Sequence, residues 1–488
     1  MIELLAAAVA WVAGWLLVRC GIGGCIGAGR AARLLEAALG AGVGFGLTSV
    51  LYFLLLLTGV ASRVVVLAVE LILVAALAAL LVRRRRDKET PKPALQPAGQ
   101  FRWTGLVALV VAVALIVVIP PLIRSFLARP HGDWDAWAIW NLRARFLVDP
   151  AHWSNAVSAD LVRTHPEYPL LLPAFVARTW TWAGNTSPQA PVIAAAVFFL
   201  AALATLAAGV WMLRGPVAAL LAVLLLVANP SFLMEPARQY ADIPLCFYML
   251  GALALLVLAE ASEGASRIRL RLAAGVMASL AAWTKQEGIV FLALVLAVEL
   301  ARFWRGAGPR AAWVEWRWLL AGAGPGLLLV SCFTIFLAPA TGPWRGQAVS
   351  QMFRKIVTFD RWDQIGGAFL AELVNFGSWL SHPVVLVAIL AAGLRFGADP
   401  RSKPAVRSGA LILGGMLVAY WTMYLVAADD LNWLLGASFG RLLSQLWPAT
   451  VLLLFLALGR VEDLLPGVTV PGVPAAPAAG EPHRRRKS

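Results

Sequence analysis

Leu106-Val107-Ala108-Leu109-Val110-Val111-Ala112-Val113-Ala114-Leu115-Ile116-Val117-Val118-Ile119-Pro120-Pro121-Leu122-Ile123 runs for eighteen residues without a charge. An apolar run of that length crosses the hydrocarbon core of a bilayer as a helix. Just beyond it stands His131-Gly132-Asp133-Trp134-Asp135-Ala136-Trp137-Ala138-Ile139-Trp140. Tryptophan collects at the membrane–water interface, so this stretch belongs at the rim of the bilayer. Carboxylates kept so close to lipid are costly to hold there, and they point to chemistry on a lipid-anchored substrate.

The rest of the chain fits this start. Of 488 residues, 60% are hydrophobic and 14% charged, and the mean hydropathy is +0.78. A soluble domain is about half apolar and a quarter charged. The fold expected is therefore all-α, a polytopic transmembrane helical bundle. The apolar runs are continuous rather than alternating, which excludes a membrane β-barrel. Hydropathy marks about thirteen spans, at 2–18, 34–60, 63–82, 105–124, 190–213, 216–229, 242–260, 272–284, 288–301, 318–338, 382–397, 408–427 and 446–460. The two short runs either side of Lys285 read as a broken or re-entrant pair. Residues 1–82 then form an N-terminal region of three spans, 83–104 a cytoplasmic linker and 105–460 the main domain. The tail 461–488, rich in Pro, Ala and Gly, is predicted to be disordered.

A formal net charge of +15 invites a nucleic-acid partner, but its distribution argues against one. The basic residues stand in short segments between spans: Arg83 to Arg86, Arg267 to Arg271, Arg302 to Arg317, Arg395 to Arg407, and the tail Arg484 to Lys487. That is the positive-inside pattern, and no folded basic domain is present to hold nucleic acid. Threading these segments onto the cytoplasmic side of the cell membrane puts the N-terminus outside and the C-terminus inside. It leaves 125–189, 230–241, 339–381 and 428–445 on the outer face. Leu4 to Val18 lacks a preceding basic segment and reads as a retained span. The four cysteines, Cys20, Cys25, Cys246 and Cys332, read as small buried hydrophobes.

Chemistry concentrates in the outer segments. Trp137, Trp140, Ala144 and Leu147 recur at helical spacing, with Asn141, Arg143 and Arg145 as polar positions. Asp133 suits the N-cap of that helix. Asp135 has no such sufficient role and is the preferred general base, with Asp133 as the alternative. Asp133-Trp134-Asp135 is also an Asp-x-Asp pattern, so a divalent metal ion on His131, Asp133 and Asp135 is a candidate cofactor, three ligands being few for such a site. His165-Pro166-Glu167-Tyr168-Pro169 is bracketed by two prolines that enforce an extended turn; its His165 and Glu167 could orient a hydroxyl, or the segment is simply a rigid turn into the next helix. In the second outer segment Asp242 suits a helix cap, while Arg238, Tyr240 and Asp242 share the depth of Asp135. Lys285 interrupts two apolar runs, where it either binds a lipid phosphate or pairs internally with Glu287. Arg441 stands at a water–lipid boundary, either forking onto a phosphate or snorkelling. Glu70 and Glu299 receive no role.

Together Gly132-Asp133-Trp134-Asp135-Ala136-Trp137, Tyr240-Ala241-Asp242-Ile243-Pro244, Thr284-Lys285-Gln286-Glu287-Gly288 and Ser438 to Arg441 with Gln445-Leu446-Trp447-Pro448 resemble the GT-C superfamily of membrane glycosyltransferases. The nearest group is the bacterial members related to protein O-mannosyltransferases and aminoarabinose transferases. The resemblance covers roughly Gly105 to Arg460. It implies a sugar donor carried on a polyprenyl phosphate, an envelope acceptor, and inverting transfer on the extracytoplasmic face. It implies a first-loop base (Asp135 or Asp133), a second-loop acid (Asp242), and phosphate-binding cations at Lys285 and Arg441, with Arg238 beside them. Glu167, Tyr168, His165, Trp137 and Tyr240 would then contact substrate. In the better-known members the acid loop follows the first span, whereas here three further spans, within residues 1–82, come before that span. A multi-span transporter or flippase of a lipid-linked sugar is the rival class, and a glycan ligase using a lipid-diphosphate donor is a nearer one.

Overall fold

The computed structural model describes residues 1–86, 104–342, 346–377 and 402–459, together with 388 and 400. Most of the expected linker, the expected tail and the expected span 382–397 lie outside the described residues. The chain folds into α1 (Ile2–Ile22), α2 (Arg30–Leu57), α3 (Arg63–Arg86) and α4 (Thr104–Ala128). A wide helical turn, Ala136–Trp140, leads into α5 (Asn141–Val148). There follow α6 (Leu171–Ala183), α7 (Gln189–Arg214), α8 (Pro216–Val227), α9 (Pro230–Arg238), α10 (Asp242–Glu260), α11 (Gly264–Thr284) and α12 (Gln286–Phe336). The last described helices are α13 (Val349–Val357), α14 (Phe359–Asn375), α15 (Lys403–Val426) and α16 (Leu431–Ala457). No strand occurs among the described residues, and the architecture is the expected all-α, multi-span bundle.

Eight helices among the described residues are long and apolar enough to cross a membrane, or nine if α8 and α9, bent by 69° at Asn229, make one broken span. The differences from hydropathy have local causes. The segment 428–445 is helix rather than loop, because α16 starts at Leu431 and carries Arg441 and Gln445 inside it. Polar side chains lowered its hydropathy while leaving the helix intact. The runs either side of Lys285 are ends of longer helices, and α12 is interrupted at Gly308 by a left-handed backbone (φ +80°).

Helix α10 is the axis of the bundle. Its residues are apolar all round and buried from Asp242 to Ala259, as an interior helix requires. It packs against α11, α7, α16 and α16's neighbour α15. A helix of this length reaches about 28 Å, so Asp242 and Glu260 stand about the thickness of a bilayer's hydrocarbon core apart. At the Glu260 end, Arg271 and Arg302 each donate to its carboxylate at 2.8 Å, and Arg302 reaches Glu299 at 2.6 Å. Glu299 is thus one member of a structural ion network. The Asp242 end carries the acid loop.

The N-terminal helices are packed into the same body. Glycine lets α1 and α2 touch backbone to backbone: a Cβ on Gly14 would lie 2.0 Å from the Gly40 carbonyl oxygen, the close approach that small residues permit in membranes. Glu70, given no role from sequence, is buried with Arg178. Arg178 Nε donates to it at 2.7 Å, Trp182 Nε1 donates at 3.0 Å, and another Arg178 nitrogen donates to the Ala6 carbonyl at 2.8 Å. This pair links α1 and α3 to α6. Cys20, Cys25 and Cys246 are buried as expected, whereas Cys332 faces outward from α12, so the buried reading fails for that residue.

Candidate functional site

Four separate segments deliver charge to the end of α10. Gln239 adopts a left-handed backbone (φ +58°), which ends α9 and turns the chain into α10. Asp242 is the first residue of α10, and its carboxylate does not cap the helix. Its Oδ1 instead accepts from Lys285 Nζ at 3.2 Å and from Gln445 Nε2, and its Oδ2 accepts from Arg441 Nη2 at 2.8 Å. Lys285 reaches it because the backbone between α11 and α12 is extended at that residue alone. Lys285 also pairs with Glu287 at 2.8 Å, the internal pairing that the sequence offered as one of its two readings.

Arg441 joins the two acid segments. Its Nη1 lies 2.8 Å from Asp135 Oδ2 while Nη2 holds Asp242. Its guanidinium also lies over the Tyr240 ring, 4.2 Å from the centroid. The snorkelling alternative is therefore not what this arginine does, since its side chain is only 16% exposed. Tyr240 receives the Asp135 backbone N–H at 3.4 Å. Burial, reinforced by the Asp135 charge, pushes the Tyr240 hydroxyl up to about 12.

Asp133 belongs to a neighbouring group. Arg129 donates to it at 3.0 Å, and Arg238 lies 3.7 Å away while pairing with Glu235 at 2.9 Å. The expected side-chain capping is replaced by a backbone contact: the Asp133 carbonyl accepts the Ala136 N–H at 3.0 Å, while its carboxylate turns to Arg129. Arg238 accordingly serves Asp133 and Glu235 rather than standing with Lys285. The loop is docked through its backbone: the Asp133 N–H donates to the Arg238 carbonyl at 3.1 Å. Gly132 makes this approach possible, with φ +72° and room for no Cβ, which would sit 2.4 Å from that carbonyl oxygen.

The candidate metal site does not form. No group of three or more His, Cys, Asp or Glu among the described residues is placed to hold a metal ion. The two carboxylates turn to different arginines, and His131 is exposed.

The remaining loop residues fall into two sets. Trp134 and Trp137 stand edge-on at 5.7 Å, each 52% exposed, and face outward. Tyr168 is half-buried between His165 (4.6 Å) and Trp140 (5.7 Å), with Lys285 Nζ 6.0 Å from its ring. Burial, with the Glu287 charge, raises the Tyr168 hydroxyl above the ordinary tyrosine range. His165 is left-handed (φ +49°), so the proline-bracketed segment is a tight turn rather than an extended one. Its Nδ1 lies 3.1 Å from Glu167, whose other oxygen accepts from the Thr341 hydroxyl. Burial alone would raise the Glu167 carboxyl, but these hydrogen bonds outweigh it and hold it below the usual carboxylate range.

Sequence reasoning missed Arg143. Its spacing marked it only as a polar position of the helix, yet it is fully buried. It donates to the carbonyls of Ala156 (2.9 Å), His165 (3.3 Å), Pro166 (3.2 Å) and Tyr168 (2.7 Å). Burial lowers its guanidinium to about 9. Gln445 was visible within a motif, but nothing in the sequence marked it as a partner of Asp242.

Fold and site together define an all-helical, multi-span protein with a buried charge cluster at one end of its central helix. No family model matches the chain, and no curated protein matches it. Among solved structures it is similar to ArnT from Cupriavidus metallidurans, whose crystal structure is bound to undecaprenyl phosphate, at 20% identity and a TM-score of 0.45. The match covers 72% of this chain and 60% of that one, so this chain spans less than two thirds of that protein's length.

Proposed function

We propose that this chain is a GT-C-type membrane glycosyltransferase. It moves a sugar from a polyprenyl-phosphate donor to a hydroxyl of an envelope acceptor at the extracytoplasmic face of the cell membrane. One observation carries the reading: Asp135, Arg441, Asp242, Lys285 and Glu287 form an unbroken series of contacts drawn from four segments far apart in sequence.

Lys285 and Arg441 are the groups suited to a lipid phosphate, Arg441 because its planar fork matches phosphate oxygens. A phosphate that engages Arg441 competes with Asp135 for the same guanidinium and leaves Asp135 able to accept a proton. The acceptor oxygen then attacks the anomeric carbon, its proton passes to Asp135, and the bond from that carbon to the phosphate oxygen breaks. The electron pair stays on the departing lipid phosphate, where Lys285 and Arg441 stabilise the growing charge. A single displacement inverts the anomeric configuration. Asp242, saturated by three donors, positions the two cations and takes no proton.

The test is incubation of purified protein with a labelled polyprenyl-phosphate sugar and a cell-envelope extract. Label in a new product supports transfer. Label that only crosses a vesicle membrane supports the transporter or flippase reading, which the bend between α8 and α9 favours because transporters use broken helices at their sites. Preference for a lipid-diphosphate donor would indicate a ligase.

A further inference from the structure

The three N-terminal helices, α1 to α3, lie outside the resembling motifs, yet they form one wall of a cavity of about 490 Å³ at the Glu260 end of the bundle. That volume falls within the roughly 300–1,000 Å³ of small-ligand sites. Leu17 of α1, Val43 of α2, Leu255 of α10 and Met277 of α11 make its apolar walls. Two cations complete the lining, Arg84 from α3 and Arg269 from α11. Arg84 donates to the Cys20 carbonyl, and Arg269 lies against the Cys25 thiol.

Neither arginine is in an ion pair with a carboxylate among the described residues. Nearby Arg19, Arg271 and Arg302 all are. Two cations that pair with no acid among the described residues, at the mouth of an apolar groove and on the basic side of the chain, are complementary to an amphiphile with an anionic head. We infer that this groove binds one anionic phospholipid, with an acyl chain along Leu17, Val43 and Met277 and the phosphodiester between Arg84 and Arg269. A zwitterionic lipid brings an ammonium that offsets its phosphate, and a free phosphate has no chain to fill the groove. The inference is independent of sugar transfer at the opposite end.

Native mass spectrometry of the delipidated full chain tests it, with phosphatidylglycerol and phosphatidylcholine of matched chains as probes. The wild type should retain one phosphatidylglycerol more tightly than phosphatidylcholine. The double variant R84Q/R269Q should weaken that binding about tenfold or more. Ala273→Phe, which fills the groove while keeping both arginines, should do the same. Wild-type retention by either variant, equal retention of phosphatidylcholine, or displacement by inorganic phosphate would overturn the inference.

Discussion

At the residue scale, Asp133 and Asp135 are two positions apart and differ in their partners. Asp135 shares Arg441 with Asp242, whereas Asp133 is held by Arg129 on the more exposed side. Asp135→Asn should lower transfer by about 10²–10⁴-fold, the range for loss of a general base. Its thermal stability should stay near wild type, because Arg441 keeps Asp242. Asp133→Asn should retain transfer; the reverse pattern in the same assay would move the base to Asp133. Glu167 supplies a pH signature. Its carboxyl is depressed in the folded protein, so the stability it contributes is complete above the ordinary glutamate range and is lost as pH falls through the folded value. Melting temperatures measured from about pH 6 down to about pH 4 should therefore fall less steeply in Glu167→Gln than in wild type. Equal slopes would show that the His165–Glu167–Thr341 contacts do not couple to folding.

At the scale of elements, the acid loop is docked by backbone as much as by charge. Gly132 permits its N-terminal end to lie on the Arg238 carbonyl, and Arg143 gathers four carbonyls at its far end. Gly132→Ala adds both a steric clash and a disfavoured left-handed backbone, a strain on the order of 1–3 kcal/mol. It should reduce transfer although it removes no chemical group, and a loop-sensitive tryptophan fluorescence change should accompany the loss. Undisturbed fluorescence with full activity would mean that the loop docks in some other way. The helix from Trp134 onward was legible from the spacing of Trp137, Trp140, Ala144 and Leu147. The burial of Arg143 was not, because its ligands are main-chain carbonyls that carry no residue-type signal.

At the scale of the whole molecule, α10 separates two polar ends by the thickness of a bilayer. The basic segments between spans predict that the Glu260 end is cytoplasmic, with the N-terminus outside and the C-terminus inside. Reporter fusions at Met1 and Ser488 should therefore report opposite compartments; the same compartment for both would invert or break the threading. The sequence by itself determined the solvent and the class of fold. Long apolar runs can satisfy their backbone only as helices in lipid, and the acids, cations and tryptophans between those runs stood out against so apolar a background. Only the tertiary structure decided partnership. Which arginine holds which carboxylate, and that Asp242 serves Lys285, Arg441 and Gln445 instead of its own helix, depends on crossings between helices up to about two hundred residues apart in the chain. Hydropathy measures each segment's affinity for lipid and contains no term for such contacts.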